Sequence, residues 1–591
     1  MKQAAITFTV LFFSSIIGHS QAEYRSIHQE QSEAYSKYNY TSEQQWDDLR
    51  FQNNGISSAL GKNNTALVCA LNKRVYGWNP YWAGSAYQNY DWELLSDLCH
   101  FSYEVVSTTG QASSTHNWLT DAAVTAAQAN GVKVSLCATL FSNHATFLTN
   151  AASKQTFITN IISLVQQRNG SGCNIDFEGV PAAQSANLTA FMIDLCNQMH
   201  TAIPNSEISI ALPAVDWNAV YDVNAMKNYV DLFIIMGYDY YWGGSTTAGP
   251  TDPLYNFDTS YNYTLTKSIT YYLKKNIPNV KLLLALPYYG REYITDTNTI
   301  PSLVVSPPNS ITRFFNFVKN NLNGNYVTLL WDSISYTPYY IFNTSNWNQC
   351  FINNGYSMGK RFDVVNQFGI GGIGIWALGY DDGYPDFWNK IRDKFSDCGI
   401  IPCTDTIFDM GGPNRNYFDN EKYTYTIAPS GASVISMAFS AFNAELNYDS
   451  LWIYNGATTA SPLIGSYTGT NSPGTVNAAG SSLTIRWKSD GATKTSGWYA
   501  VWNCTQAVGL NELAGPAALT VYPNPSTGEF TVYSLQATIE LSVYDVLGNK
   551  VLGKTQNYKQ GTINLKEAPS GIYFIHVKTG HGVSVVKIIK E

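Results

Sequence analysis

Eight short apolar runs recur between Arg74 and Asp381, each followed by a helix-compatible stretch: RVYGW, LCHFSYEV, KVSLCATL, GCNIDFEGV, ISIALPAV, VDLFIIMGYDYYW, KLLLALPYY and GIGGIGIWALGYD. Between them, segments such as DAAVTAAQANG and SANLTAFMIDLCNQMHTAI repeat apolar residues every three or four positions, the period of a helix with one buried face. Eight strand–helix units over about 320 residues predict an α/β fold, a closed parallel (β/α)8 TIM barrel. An open doubly wound sheet is the structural alternative, weakened because no GxGxxG loop follows the first run.

The gap between the seventh and eighth runs, about 292–369, exceeds any single crossover and holds further strand-like pieces, YVTLLWDS and TPYYIFN. It predicts an inserted α+β subdomain on the barrel rim. The barrel with this insertion is assigned to residues 71–397. After Cys398 helical periodicity disappears. Residues 403–504 alternate as short strands between turn clusters such as NGATTASP and TGTNSPGT, and residues 519–591 do so again after a joint at 505–518. Two small all-β sandwich domains follow the barrel on this reading.

Residues 1–22 read as a signal peptide, with Lys2, the apolar stretch AAITFTVLFFSSIIG and the small residues Ser20 and Ala22. The apolar run is shorter than the roughly 20 residues of a membrane span, and no second run of that kind occurs, so no transmembrane anchor is expected in the mature chain. Residues 23–70 are polar and predict a mobile or loosely docked leader. A net charge of −8 offers no long-range attraction to phosphate backbones, which argues against a nucleic-acid partner. Aromatic residues supply 14% of the chain and charged ones only 13%, a balance that suits stacking against sugar rings.

The nine cysteines leave at least one thiol free in a monomer. Cys99, Cys137 and Cys173 sit in strand-like runs and read as small buried hydrophobes. Cys403 and Cys504 bracket one domain and are the preferred disulfide pair of an exported chain.

Chemistry concentrates in GCNIDFE. Strand alternation puts Asn174, Asp176 and Glu178 on one face and Ile175 and Phe177 on the other, so in a barrel the polar triplet points inward at the carboxyl end of the fourth strand. Asp176 and Glu178 lie about 6.6 Å apart along the strand, close enough for one ionised carboxylate to keep the other protonated, as a general acid requires. Tyr238 and Asp239 end the sixth run and Trp376 ends the eighth. A phenol, carboxylates and an indole on one rim suit a pyranose ring and its polar substituents.

These residues resemble glycoside hydrolase family 18, the chitinases and related endo-β-N-acetylglucosaminidases. The family's DxxDxDxE aligns with Ser171, Asn174, Asp176 and Glu178, its MxYD with Met236, Tyr238 and Asp239, and its strand-eight tryptophan with Trp376. PYYGR, ending in Arg291, resembles its seventh strand. The resemblance implies a secreted hydrolase of β-1,4-linked N-acetylglucosamine polymers, chitin first, with peptidoglycan or N-glycan cores as the alternative substrates. Glu178, Asp176, Tyr238 and Asp239 would be catalytic, and Asn174, Trp376, Met236, Trp78, Arg291 and Trp242 would bind substrate. The implied mechanism is substrate-assisted retention without a cofactor. Asn174 replaces a family acid, which widens the range of expected glycans. A silent chitin-binding lectin or an adhesin is the alternative of another class; such lectins typically lack the acid.

Residues 403–504 resemble a CUB domain through FNAELNYDSLWIYNG and WKSDGATKTSGWYAVWNC. The family's calcium ligands match Glu445, Asp449 and Asp490, and three oxygen donors suit Ca2+. YPNPSTGEF, YDVLGNKV and PSGIYFIHV resemble the C-terminal sorting domain of type IX secretion substrates, which implies an outer-membrane translocon as partner and a secreted or cell-surface location.

Overall fold

The computed structural model describes residues 24–55, 69–258, 261–305, 310–506, 519–534, 540–546, 548–554, 560–579 and 582–591. The expected signal peptide and most of the 505–518 joint lie outside them. The eight apolar runs form the eight strands of a closed barrel. They are β1 (Arg74–Pro80), β2 (Asp97–Glu104), β3 (Lys133–Leu140), β4 (Gly172–Phe177), β5 (Glu207–Pro213), β6 (Leu232–Met236), β7 (Leu282–Pro287) and β8 (Gly372–Trp376). Neighbours pair in parallel around the ring, and β1 closes it against β8 through Arg74–Gly372 to Gly77–Ile375. Strands covered on both faces need apolar side chains at nearly every position, which is why these runs are continuous rather than alternating.

Helices such as Ala151–Gln167 and Ser185–Ala202 cover the outside. Ile175 and Phe177 of β4 point into that layer, where Phe177 stacks on Phe191 and meets Phe147 edge-on. The rim insertion is a five-stranded antiparallel sheet with a short helix, built from Tyr289–Thr295, Ser310–Phe314, Leu329–Asp332, Thr337–Asn343 and Trp347–Phe351. It begins with Tyr289, earlier than 292, and ends with Phe351. The helix Gly355–Phe368 then returns to the barrel wall, capped by Asn354 and Ser357.

Residues 404–506 form two four-stranded antiparallel sheets stacked as a sandwich. Their edge meets the barrel at Phe408 against Tyr255, and Gln367 donates to the Phe408 carbonyl at 2.7 Å. Cys403 and Cys504 are bonded, and so are Cys69 and Cys398, a pair the sequence reading did not propose. The other five cysteines are buried thiols. Residues 519–591 form a separate unit with a three-stranded and a four-stranded sheet around Phe530, Val543 and Ile575.

The polar leader departs most from expectation. Residues 24–54 carry two helices, α1 (Ile27–Ser36) and α2 (Glu43–Asn54), that pack on the barrel mouth with Ile27, His28, Gln31 and Trp46 buried. Ser26 caps α1, and Ser42 with Gln45 forms a capping box on α2.

Candidate active site

β4 delivers its inward residues in layers. Deepest is Asn174, whose Oδ1 accepts from Trp78 Nε1 at 3.1 Å and whose Nδ2 donates to Ser209 Oγ at 2.8 Å. One pleat higher stands Asp176, fully buried. Above it is Glu178, whose amide donates to the Leu140 carbonyl at 3.1 Å and so extends the pairing with β3 past the strand's end.

The loop after β6 supplies Tyr238 and Asp239. Asp239 has φ of 57°, a left-handed conformation that Asp adopts more readily than most residues, and its amide donates to Thr251 Oγ1 at 3.0 Å. Its Oδ1 accepts from Tyr289 at 2.9 Å, with Arg291 3.5 Å away. Met236 is buried at the end of β6, and Trp376 lies across the floor at the end of β8, edge-on to Trp78 and Phe101. Of the expected substrate-binding residues, Asn174 and Trp78 bond to each other inside the barrel, Arg291 stands beside Asp239, and Trp242 lies further out on the same loop.

Burial first, and the Asp176 charge second, push the Glu178 carboxyl well above its usual range. Burial likewise raises the Tyr238 phenol, with Asp176 and Glu178 adding to it, so the phenol stays a hydrogen-bond donor. The site therefore offers an acid biased toward its protonated form beside a second carboxyl group, a neutral donor and an apolar floor.

The leader fills this site, which no sequence motif announced. Ser26 Oγ donates to Glu178 Oε1 at 2.9 Å, and the Ile27 amide donates to Asp239 Oδ2 at 2.8 Å. His28 stacks on Trp376 with ring centroids 3.6 Å apart, its Nδ1 2.7 Å from Asp176 Oδ2 and its Nε2 2.8 Å from the Tyr238 hydroxyl. Gln31 Oε1 accepts from Trp376 Nε1 and from Tyr380, and Glu30 pairs with Arg291 at 2.9 Å. Tyr24 meets Trp242 edge-on.

In the sandwich, Glu445, Asp449 and Asp490 each place a carboxylate oxygen within 4.8 Å of the others. Asp449 accepts from Tyr417 and from the Asp490 amide, while the buried Glu445 Oε2 has no hydrogen-bond partner. An unpartnered carboxylate oxygen aimed among acids fits a hard divalent cation.

A parallel eight-stranded barrel with paired carboxyl groups at the carboxyl end of β4 is the architecture of a TIM-barrel enzyme. Residues 77–381, just over half the chain, match glycosyl hydrolases family 18, and the chain belongs to that family. Residues 401–502 match the CUB domain and residues 520–591 the secretion system C-terminal sorting domain. Among curated proteins, the chain is 25% identical over 255 residues to "Probable endochitinase" of Caenorhabditis elegans, covering 39% of this chain and 40% of that protein. It is 23% identical over 268 residues to chitotriosidase-1 of Mus musculus, covering 41% and 56%. The chain thus spans about half the length of these relatives. Among solved structures, the group IV chitinase of Ostrinia furnacalis aligns with 54% of this chain and 98% of its own, at 19% identity and a TM-score of 0.49.

Proposed function

We propose that the chain is a glycoside hydrolase that cleaves β-1,4-linked N-acetylglucosamine polymers, chitin foremost, by substrate-assisted retention. The observation that carries the reading is the convergence of Glu178, Asp176, Tyr238, Asp239 and Trp376 on one rim, with Glu178 biased toward its protonated form. The chitinase names of the matched relatives support the substrate class.

In this reading the sugar ring lies on Trp376. Glu178 protonates the glycosidic oxygen, and the C1–O bond breaks as the carbonyl oxygen of the substrate's own 2-acetamido group attacks C1. Asp176 accepts the acetamido N–H, and Tyr238 donates to the carbonyl oxygen, holding the attacking atom in line. Glu178, now ionised, removes a proton from the water that attacks C1 and opens the oxazolinium ring, which leaves the anomeric configuration retained. Asp239, fixed by Tyr289 and Arg291, holds the same subsite. Glu178 makes both proton transfers, while Asp176 and Tyr238 hold the acetamido group through hydrogen bonds.

The sandwich carries a calcium site at Glu445, Asp449 and Asp490, and it binds glycan or a partner protein. The terminal module hands the exported chain to a secretion translocon, consistent with the sorting-domain match. Among the described residues no helix is long and apolar enough to cross a membrane.

The test uses a chain with a specific protease site between Gly55 and Cys69, cut and washed free of its leader, beside the same protein with Glu178→Gln. Chitin oligomers, peptidoglycan and N-glycoprotein are the substrates. Product from the Glu178 protein alone supports the assignment. Equal product from both would sink it, and binding without turnover on every substrate would favour a lectin.

A further inference from the structure

We infer that residues 24–54 are a built-in inhibitor: α1 closes the glycan cleft by imitating the sugar's acetamido group with His28, and the cleft takes substrate only once this segment is displaced. The inference rests on the substrate reading above.

The case begins with matched chemistry. An acetamido group presents an N–H donor and a carbonyl acceptor. Neutral imidazole presents the same pair, one ring nitrogen protonated and the other bearing a lone pair. His28 sets Nδ1 on Asp176 at 2.7 Å and Nε2 on the Tyr238 hydroxyl at 2.8 Å, the two groups assigned to the acetamido N–H and carbonyl. Its ring lies on Trp376 at 3.6 Å, as a pyranose face would. Ser26 donates to Glu178 Oε1 at 2.9 Å, and the Ile27 amide donates to Asp239. Every member of the proposed catalytic set therefore has a leader atom in contact with it. A sugar cannot lie on Trp376 while His28 does.

Separability is the second part. The barrel closes through β1 against β8, and β1 begins at Arg74, well after the leader. The Cys69–Cys398 disulfide fastens the chain at the barrel side of that boundary. The described residues of the leader contribute no strand to the barrel. The leader's hold on the mouth is mixed: Ile27 and Trp46 are buried and Tyr35 stacks on Trp82, while polar groups pair Glu30 with Arg291, Gln31 with Trp376 and Tyr380, and Arg50 with Asp382. The polar groups can be rehydrated or taken over by a ligand, and the apolar face belongs to two surface helices that can part from the mouth without breaking a barrel strand.

The test measures binding apart from turnover. The chain with a protease site between Gly55 and Cys69 carries Glu178→Gln, and its affinity for an N-acetylglucosamine hexamer is read by calorimetry. The uncut protein, the cut and washed protein, and the washed protein with a synthetic 24–55 peptide added back are compared. The expected result is at least tenfold weaker hexamer binding before the cut than after, reversed by the peptide, with a His28→Ala peptide at least tenfold less effective. Equal hexamer affinity before and after the cut overturns the inference, as does a peptide that rebinds without displacing the hexamer. Turnover is read separately on protein retaining Glu178. Gated binding with no hydrolysis removes the hydrolase reading and leaves the inhibitor standing. Equally fast hydrolysis by uncut and cut protein does the reverse.

Discussion

His28→Ala in the intact, uncut chain should raise its activity. The imidazole makes one hydrogen bond to a carboxylate, one to a phenol, and a stack on Trp376. Taken singly these are worth about 1.5–3, about 0.5–1.5 and about 0.5–1.5 kcal/mol. Water entering the vacated space returns part of that by solvating Asp176 and Tyr238, so a net loss of about 3 kcal/mol is the reasonable figure. At 1.4 kcal/mol per tenfold, the ratio of closed to open cleft falls roughly 150-fold.

A tethered inhibitor that competes with substrate multiplies the apparent KM by one plus that ratio and leaves kcat unchanged. Initial rates on a chromogenic N-acetylglucosamine oligomer, well below KM, should thus rise by up to about 150-fold, capped by the rate of the cut protein. His28→Asn should restore part of the closure, because a side-chain amide keeps one donor and one acceptor. Gln44→Ala, on the exposed face of α2, should change nothing. A His28→Ala chain with the parent's KM, when the cut protein is far faster than both, would refute the reasoning. So would a gain confined to kcat.

Four further outcomes follow from the geometry. In cut protein, Glu178→Gln should lower turnover by about a thousandfold while hexamer binding persists, measured by rates and calorimetry. Burial, part of it by the leader, and then the Asp176 charge raise the Glu178 pKa in the closed chain. In cut protein the Asp176 charge remains, so the rate, which needs protonated Glu178, should fall as pH rises through a raised pKa, and with the peptide added back Glu178 should titrate at higher pH still. Asp176→Asn removes the neighbouring charge, so the alkaline limb of its residual rate should move to lower pH. Calcium at about 100 times its Kd should stabilise the sandwich by about 2.7 kcal/mol in a melting scan, an increment that chelator or the pair Glu445→Gln and Asp490→Asn abolishes. Cys69→Ser should destabilise the barrel by about 2–5 kcal/mol with little effect on kcat of the cut form.

The barrel was legible because its strands are buried on both faces and read as apolar runs between helical periods. The period-2 alternation in GCNIDFE was enough to point Asp176 and Glu178 inward. The leader was not legible, for a physical reason. α1 buries Ile27, His28 and Gln31, of which only one is apolar, so hydrophobic periodicity carries no trace of its docking. The partners of its polar groups, among them Asp176, Tyr238, Arg291, Trp376 and Tyr380, are brought to it by the fold. The local signals present, Ser26 ahead of α1 and Ser42 three residues before Gln45, mark helix starts and say nothing of where the helices go. The Cys69–Cys398 bond escaped notice similarly: 329 residues separate the pair, and only barrel closure brings them together.

The covalent join between leader and barrel makes the plug effective. A free peptide would have to order two helices as it docks, and would bind modestly even with Ile27 and Trp46 buried. Joined to the barrel, it competes at an effective concentration in the millimolar range, so even a micromolar affinity for the free peptide would keep the cleft closed about a thousand to one. A soluble oligomer at micromolar concentration does poorly against that. One cut between Asn54 and Cys69 removes the advantage at once, because the leader is then diluted into solvent while the Cys69–Cys398 bond keeps the new chain end on the barrel. The same contacts thus serve two needs: they imitate the substrate closely enough to fill its site, and they are weak enough individually to be lost when the chain is cut. Polar and apolar contacts divide the work: a histidine, a serine and a backbone amide face the catalytic groups and imitate the substrate, while Tyr35 on Trp82 and Trp46 on Tyr81 hold the helices at the rim, outside the sugar's place on Trp376.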